Sequence, residues 1–410
     1  MGIPCRRQAG TRPYLPHRRP TVSPHPRRPA RRSILMASPL AFIDLQAQRK
    51  RLGDSIDTAM RRVVDHGHFI LGPEVGLLEQ KLAQFCGADH TVSCGNGTDA
   101  ISLVLMAENI GPGDAVFMPA FTFVATAEAA AQLGATPYFI DVNADDFAIN
   151  PDHIDGAVSD ARSRGLRPRA IIAVDLFGLP ADYARLTATA SHHGLVLVAD
   201  AAQSFGGRYQ NHMVGSLADY TTTSFFPSKP LGCYGDGGAI FTNAAPRADL
   251  LRSLRFHGKG QDKYDNIRIG MNSRLDTIQA AILLEKLTIF ADELELRETV
   301  AARYDALLRP HAGKVIRPVV PAGRRSAWAL YTLRSPERDA IRNACQAAGI
   351  PTNVYYPIPL NRQTGYRNYP VSPAGVPVSE QLAMEVISIP MHPYLTEEDQ
   401  ARIVQAIVGH

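Results

Sequence analysis

The feature that most limits what this chain can fold into is an alternation. Short apolar runs recur, each followed by a turn and usually by a stretch with helical spacing. The runs are Ala115–Met118, Thr136–Asp141, Ala170–Val174 and Leu195–Ala199. The spacing of apolar residues predicts helices over Ser55–Asp65, Glu74–Cys86, Thr98–Asn109 and Tyr183–His193. Strands this short and this apolar suit a sheet covered on both faces. Alternating with helices, they predict βαβ units and a mostly parallel sheet. Further strands are expected at Thr221–Phe226 and Ala239–Thr242, around a glycine-rich hairpin. A long helix is expected from Arg274 to Leu308, with Leu275, Ile278, Ile282, Leu287 and Phe290 on its apolar side. A helix of that length suits a bridge between lobes, and the remainder reads as a smaller α+β domain. The expected organisation is a tail (1–36), a large α/β domain (37–290) and a small C-terminal domain (291–410).

Charge separates the tail from the body. The 410 residues carry 43 Lys+Arg and 39 Asp+Glu, a formal net charge of +4. Nine arginines lie within residues 1–40, which hold no Asp or Glu. Removing those nine leaves 34 basic residues against 39 acidic ones, a net of −5. The basic excess therefore belongs to the tail, and a globally basic nucleic-acid-binding surface is not expected. Seven prolines within residues 1–36 keep that segment from holding a helix, and it has little to bury. It is expected to be disordered. Met36, which opens MASPLAFIDLQAQ, reads as a plausible start. A targeting peptide would be amphipathic and serine-rich, and a basic arm for an anionic partner has no specific support.

No apolar run approaches the ~20 residues that span a bilayer. The five cysteines (5, 86, 94, 233, 345) are odd in number and form no C-x-x-C pair. That spacing argues against a disulfide framework or a zinc ribbon, and no metal site is expected. A reducing, cytoplasmic setting is the expectation.

In an open α/β sheet, ligands sit beyond the carboxyl ends of the strands. Three segments there carry polar groups that a core would not want. In SCGNGTDA (Ser93–Ala100), Gly95, Asn96 and Gly97 permit a tight turn and Thr98 can cap the helix that follows. Free backbone N–H groups at that start suit a phosphate, although an ordinary capped turn reads the same way. In LVLVADAAQ, an apolar strand runs straight into Asp200, with Gln203 three residues on. A buried carboxylate needs a cation, such as a protonated pyridine nitrogen; the alternative is a helix cap. In TTTSFFPSKPLGCYGDGG, Lys229 sits between Pro227 and Pro230, with Ser224 five residues earlier. A lysine in a rigid apolar setting can attack an aldehyde, although most lone lysines are solvated. Taken together, phosphate donors, a carboxylate for a ring nitrogen and a Schiff-base lysine are the set that pyridoxal phosphate needs.

On these residues the sequence resembles the DegT/DnrJ/EryC1/StrS family of pyridoxal-phosphate sugar aminotransferases, of fold type I. The likeness runs from about Phe42 to the C-terminus. It includes ILGPEV, NGTDA, PAFTFVATAE, DAAQSFG, SFFPSKPLGCYGDGGAIFT, GMNSRLDTIQAAIL and SIPMHPYL. The resemblance implies that Lys229 bonds the cofactor aldehyde and shuttles the proton. Asp200 would hold the ring nitrogen protonated, Gln203 would contact the ring hydroxyl, and Phe123 would stack on the ring. Thr98, the Gly97 backbone and Ser224 would bind the phosphate. Asn272 would reach the phosphate of a neighbouring subunit, so the active unit would be a homodimer. Arg274 and Tyr356 would face the sugar nucleotide from that same neighbour, and Asn361 would join them in binding the substrate.

Many members carry His where YYPIPLNRQ (Tyr355–Gln363) has Asn361. The Asn form looks like the branch that aminates UDP-2-acetamido-2-deoxy-3-oxo-glucuronate at C3, with glutamate as donor and 2-oxoglutarate as product, in surface-polysaccharide and O-antigen synthesis. Arg274 is the first candidate for a sugar carboxylate and Arg362 the second. Three alternatives stand beside this reading. They are amination at C4, a dTDP-linked C3 substrate, and a non-enzymatic regulatory role. A dehydratase relative would carry His in place of Lys229.

Overall fold

The large sheet follows from the alternation. Its strands are β1 (His90–Cys94), β2 (Asp114–Pro119), β3 (Thr136–Ile140), β4 (Arg167–Val174) and β5 (Val196–Asp200). After a ribbon of two-residue strands, β6 (Arg208–Tyr209) and β7 (His212–Met213), come β8 (Tyr220–Ser224) and β9 (Gly238–Thr242). The order across the sheet is β1-β9-β8-β5-β4-β2-β3. Only β9 runs against the rest, pairing antiparallel with both β1 and β8. The computed structural model describes residues 40–262 and 264–409. The expectations for residues 1–36 lie outside these.

Both faces of the sheet are buried, as short continuous apolar strands require. On one face Val116, Met118, Ile172, Val198 and Ile240 join a core with Ile101 and Leu105 of α4 (Gly97–Ala107). On the other, Phe117, Tyr138, Ile171 and Leu197 pack with Val158 of α6 (Ile154–Ser163) and Leu186 of α7 (Tyr183–His193). The remaining helices of this part are α1 (Leu45–Leu52), α2 (Ser55–His66), α3 (Pro73–Cys86), α5 (Ala125–Gln132) and α8 (Ala245–Leu254). Among the described residues no helix is long and apolar enough to cross a membrane.

The long helix is α9 (Thr277–Leu308), starting three residues after the expected Arg274. It lies against α2 and α3 at one end and α12 (Glu397–Val408) at the other. The boundary expected at 290 falls inside this helix, and Leu40–His410 form one compact unit. The C-terminal part still has its own core, in which Val300 and Tyr304 of α9 meet Leu333, Ile341, Ile387 and Ile403. That part is α+β: β11 (Tyr331–Arg334) pairs antiparallel with β12 (Val386–Ile389), beside α10 (Arg338–Ala347) and α11 (Pro377–Glu385). A short strand, β10 (Arg324–Arg325), returns to β6 and so ties this segment to the large part.

Two differences from the sequence reading matter. Strand β1 reads as polar (His-Thr-Val-Ser-Cys), yet Thr91 and Ser93 are buried. Ser93 is satisfied by Glu79, which accepts from its N–H and its hydroxyl, whereas the Thr91 hydroxyl finds no partner among the described residues, so the strand is buried without an apolar signal. And β5 ends on Asp200 itself, paired with Thr222 of β8. The carboxylate therefore grows from the sheet rather than from the loop beyond it.

Candidate active site

The parallel strands β1, β5 and β8 end at one edge of the sheet. A cleft of about 670 Å³ opens there, lined by Asn96–Asp99, Thr122, Phe123, Asp200, Gln203, Ser224, Lys229 and Tyr356, among others. This is the crevice where an open α/β sheet holds ligands.

The turn after β1 is shaped by close approaches. Asn96, not the expected Thr98, caps α4: the helix already begins at Gly97, and the Asn96 side chain accepts from the Asp99 N–H at 2.8 Å. The first N–H groups of the helix have no intrahelical acceptor, so those of Gly97 and Thr98 are available to an anion. A Cβ on Gly97 would lie 2.8 Å from the Ser224 Cβ, and one on Gly238 would lie 2.5 Å from the Asn96 carbonyl oxygen. The absence of side chains thus brings a helix N-terminus, the Ser224 hydroxyl and the start of β9 together. From the outside, the Ser273 hydroxyl accepts from the Gly95 N–H at 2.9 Å and fixes the turn.

Asp200 is 8% exposed. Its carboxylate accepts from the Ala202 N–H at 3.1 Å and, at the 3.5 Å limit, from the Thr126 hydroxyl. Burial raises its pKa, against the pull of these donors and of Lys229. Lys229 shows the mirror image: burial lowers its pKa, and Asp200 opposes the fall. The two feel each other's charge without forming an ion pair, which leaves room between them for a planar cation. The Lys229 N–H donates to the Phe226 carbonyl at 2.9 Å, and the Phe226 N–H donates to the Ser224 hydroxyl at 3.2 Å. One tight turn therefore sets both the amine and the hydroxyl.

Gln203 is held by an unusual backbone. Phe177, at φ 62°, turns its N–H onto the Gln203 Oε1 at 2.5 Å. The acceptor end is thereby occupied, and the amide donor faces the cleft, where it reaches Tyr356. Phe123 is 53% exposed, an open aromatic face on the cleft wall. Its ring lies 5.9 Å from that of Tyr356, whose pKa is raised by burial and by Asp200.

Eight of the residues singled out in the sequence therefore meet in one place: Gly97, Thr98, Phe123, Asp200, Gln203, Ser224, Lys229 and Tyr356. Four do not line the cleft. Asn361 donates its amide to Glu380 at 2.9 Å, and Arg362 donates to the same oxygen at 2.7 Å. Both are committed to α11, which is why neither turns inward. The Arg274 guanidinium lies 5.0 Å over the Phe256 ring, and Asn272 is exposed beside it. Both flank Ser273, on the outer side of the phosphate turn.

Other lining residues carry no local signal in the sequence. Glu128 and Gln132 face the cleft one turn apart on α5, and Asp99 and Asp236 line it from elsewhere. Thr126, which steadies Asp200, sits among alanines and reads as a helix filler. Only its helical phase relative to Phe123 would have hinted that it points back to the sheet.

Donors at a helix start, a lysine facing a buried carboxylate across a gap, and an exposed aromatic face together suit a phosphorylated aromatic aldehyde. The comparisons agree. The profile of the DegT/DnrJ/EryC1/StrS aminotransferase family matches residues 50–408. The chain is 46% identical over 356 residues to UDP-2-acetamido-2-deoxy-3-oxo-D-glucuronate aminotransferase from Pseudomonas aeruginosa, covering 87% of this chain and 96% of that one. It is 40% identical to UDP-N-acetyl-3-dehydro-alpha-D-glucosamine 3-aminotransferase from Acidithiobacillus ferrooxidans, covering 90% and 97%. A crystal structure of a DegT DnrJ EryC1 StrS aminotransferase from Brucella abortus superposes with a TM-score of 0.88 at 52% identity, over 90% of this chain and 99% of that one. A lysine-bearing cleft of this chemistry, reached independently from the fold and from its relatives, means that the chain belongs to the DegT/DnrJ/EryC1/StrS family and is a transaminase that works with pyridoxal 5′-phosphate.

Proposed function

We propose that this transaminase moves the amino group of glutamate to C3 of UDP-2-acetamido-2-deoxy-3-oxo-glucuronate, in bacterial surface-polysaccharide synthesis. The observation that carries the substrate is the likeness to the Pseudomonas aeruginosa aminotransferase, nearly end to end, which includes the cleft. Bound pyridoxal phosphate supplies an aldehyde that takes the amino group and a ring that draws electrons from the neighbouring carbon.

The chain's own residues then have distinct tasks. The Gly97 and Thr98 N–H groups and the Ser224 hydroxyl hold the phosphate. Phe123 covers one ring face, and the Gln203 Nε2 donates to the ring oxygen. The Asp200 carboxylate keeps a proton on the ring nitrogen, and a cation there offsets the burial that otherwise raises its pKa. Lys229 has its pKa lowered by burial, so its Nζ can be neutral when it takes the proton from the donor's Cα. It returns that proton to the sugar carbon in the second half-reaction. One site serving both substrates in turn implies ping-pong kinetics.

The working unit of this reading is a homodimer. Four carboxylates line the cleft (Asp99, Glu128, Asp200, Asp236), and Lys229 is its one cation among the described residues. Yet the cofactor phosphate, glutamate and a nucleotide-linked uronate are all anionic. A second copy would supply further cations. Arg274 stands ready on the outer side of the phosphate turn, with Asn272 beside it. Nearby, Ile267 and Ile269 are 55% and 89% exposed, apolar surface that a second copy would cover.

The test is an assay of the purified protein with glutamate, offering the UDP-linked 3-keto uronate and UDP-linked 4-keto sugars separately. The expected product carries nitrogen at C3, read by NMR. Turnover of the 4-keto sugars alone would overturn the substrate assignment.

A further inference from the structure

Among the described residues, Lys286 is the most deeply buried cation that forms no ion pair. It lies in the middle of α9 and is 1% exposed. Its Nζ donates to the Gly232 carbonyl at 2.7 Å and stands 4.4 Å over the Tyr234 ring. Burying an ammonium is expensive, and a helix that needed only packing would carry Leu or Met there. The hydrogen bond and the ring face are what hold the charge in place.

Gly232 belongs to the loop that carries Lys229. The loop crosses itself at this glycine: a Cβ there would lie 2.6 Å from the carbonyl oxygens of both Phe226 and Pro227. The Phe226 carbonyl is the one that accepts the Lys229 N–H. A direct line of contact thus runs from the Lys286 ammonium, through Gly232, to the turn that sets the Lys229 backbone. Gln279, seven residues earlier on the same face of α9, accepts from the Tyr234 N–H at 2.9 Å. Cys233 closes the loop, its N–H donating to the Phe225 carbonyl at 2.8 Å.

We infer that Lys286 is a positioning residue for Lys229, and that with Gln279 it clamps the lysine-bearing loop to the long helix. The inference rests on the reading of Lys229 as the lysine that bonds the cofactor. A clamp matters because misplacing a reacting group by about 1 Å can lower a rate by about 10²-fold. The charge of the clamp is itself conditional. Burial lowers the Lys286 pKa to about 8, while Glu293 and Cys233 resist the fall. Tyr234 is the remaining titratable group against it.

The experiment compares holoenzymes of the native protein, Lys286→Met, Gln279→Met and Lys229→Ala. Three quantities are read: the pH titration of the visible band of the lysine-bound cofactor, amide exchange over residues 231–236, and kcat against KM for glutamate. In Lys286→Met the expected result is faster amide exchange, a displaced titration midpoint and a kcat at least tenfold lower, with KM for glutamate within twofold. Gln279→Met should move the same readouts in the same direction by less, and it decides the matter if Lys286→Met does not fold. Unchanged titration and kcat in the variant that folds would overturn the clamp. A visible band that survives in Lys229→Ala would instead overturn the reading of Lys229 and leave the loop exchange data to stand alone.

Discussion

At the scale of single residues, the site is built on opposed pKa shifts. Burial raises Asp200 and lowers Lys229, so each is pushed toward its neutral form; the Ala202 N–H, the Lys229 charge and the Thr126 hydroxyl resist the rise, and the Asp200 charge resists the fall. A cation placed between them satisfies Asp200 and frees Lys229 to stay neutral. A different residue, His392, carries a shift with a consequence for stability. It is 4% exposed, its Nδ1 finds no hydrogen-bond partner among the described residues, and burial pushes it from 6.5 down to about 4. Arg297 nearby adds to the fall, and Asp44 opposes it. Because the folded value lies below the unfolded one, the neutral ring contributes its full stability above pH 6.5 and loses it as pH falls toward 4. A change from 6.5 to about 4 corresponds to about 3 kcal/mol. His392→Gln should therefore lose about 2 kcal/mol less than the native protein between pH 7 and pH 4.5, measured by urea unfolding at the two values. Equal losses in the two proteins would remove His392 from the account of acid sensitivity.

At the scale of elements, the start of α4 shows how the proposed phosphate site was and was not legible. Glycines, Asn96 and Thr98 announced a turn and a helix start. The partner across the gap, Ser224, lies 127 residues further on and is close only because β8 is two strands away from β1. Gly97→Ala separates the two tasks of this turn. Alanine is a better helix former, so the helix itself gains. Its Cβ, however, would lie 2.8 Å from the Ser224 Cβ, forcing the cradle apart. The expected outcome is an unchanged helical signal with cofactor affinity weakened about tenfold or more, about 1.4 kcal/mol, read by spectroscopic titration of the apoprotein. Retention of native affinity would show that the cradle tolerates the methyl group. The long helix was legible in its apolar residues but not in its polar ones. Lys286, Glu293 and Arg297 look solvated by composition, yet all three are buried. They are buried because α9 is enclosed on several sides, against α2, α3 and α12, and no one-sided periodicity can reveal that.

At the scale of the whole molecule, the charge of the cleft bears on the proposed homodimer. Among the described residues, the cleft presents four carboxylates and one lysine to substrates that are anionic. If Arg274 acts in the neighbouring copy's site, Lys229→Ala and Arg274→Ala homodimers should each be inactive. Mixing and refolding them should restore about a quarter of native activity, since half the dimers are hybrids and each hybrid has one intact site of two. Activity no greater than the sum of the two variants would place Arg274 in its own chain's site.

The sequence by itself determined the kind of sheet, because continuous short apolar strands have no other way to bury both faces. It also singled out Asp200 and Lys229, which the fold brings to one cleft. A carboxylate at the end of an apolar strand and a lysine between prolines are local signals that survive without knowledge of contacts. Tertiary structure decided what no local pattern encodes. It turned Asn361 toward Glu380 rather than the cleft, set Thr126 behind Asp200, and bound the Gly232 carbonyl to a lysine 54 residues away. The physical reason is the same in each case. A polar side chain takes the partner that the fold brings within hydrogen-bond reach, and which partner that is depends on strand order and helix placement across the whole chain.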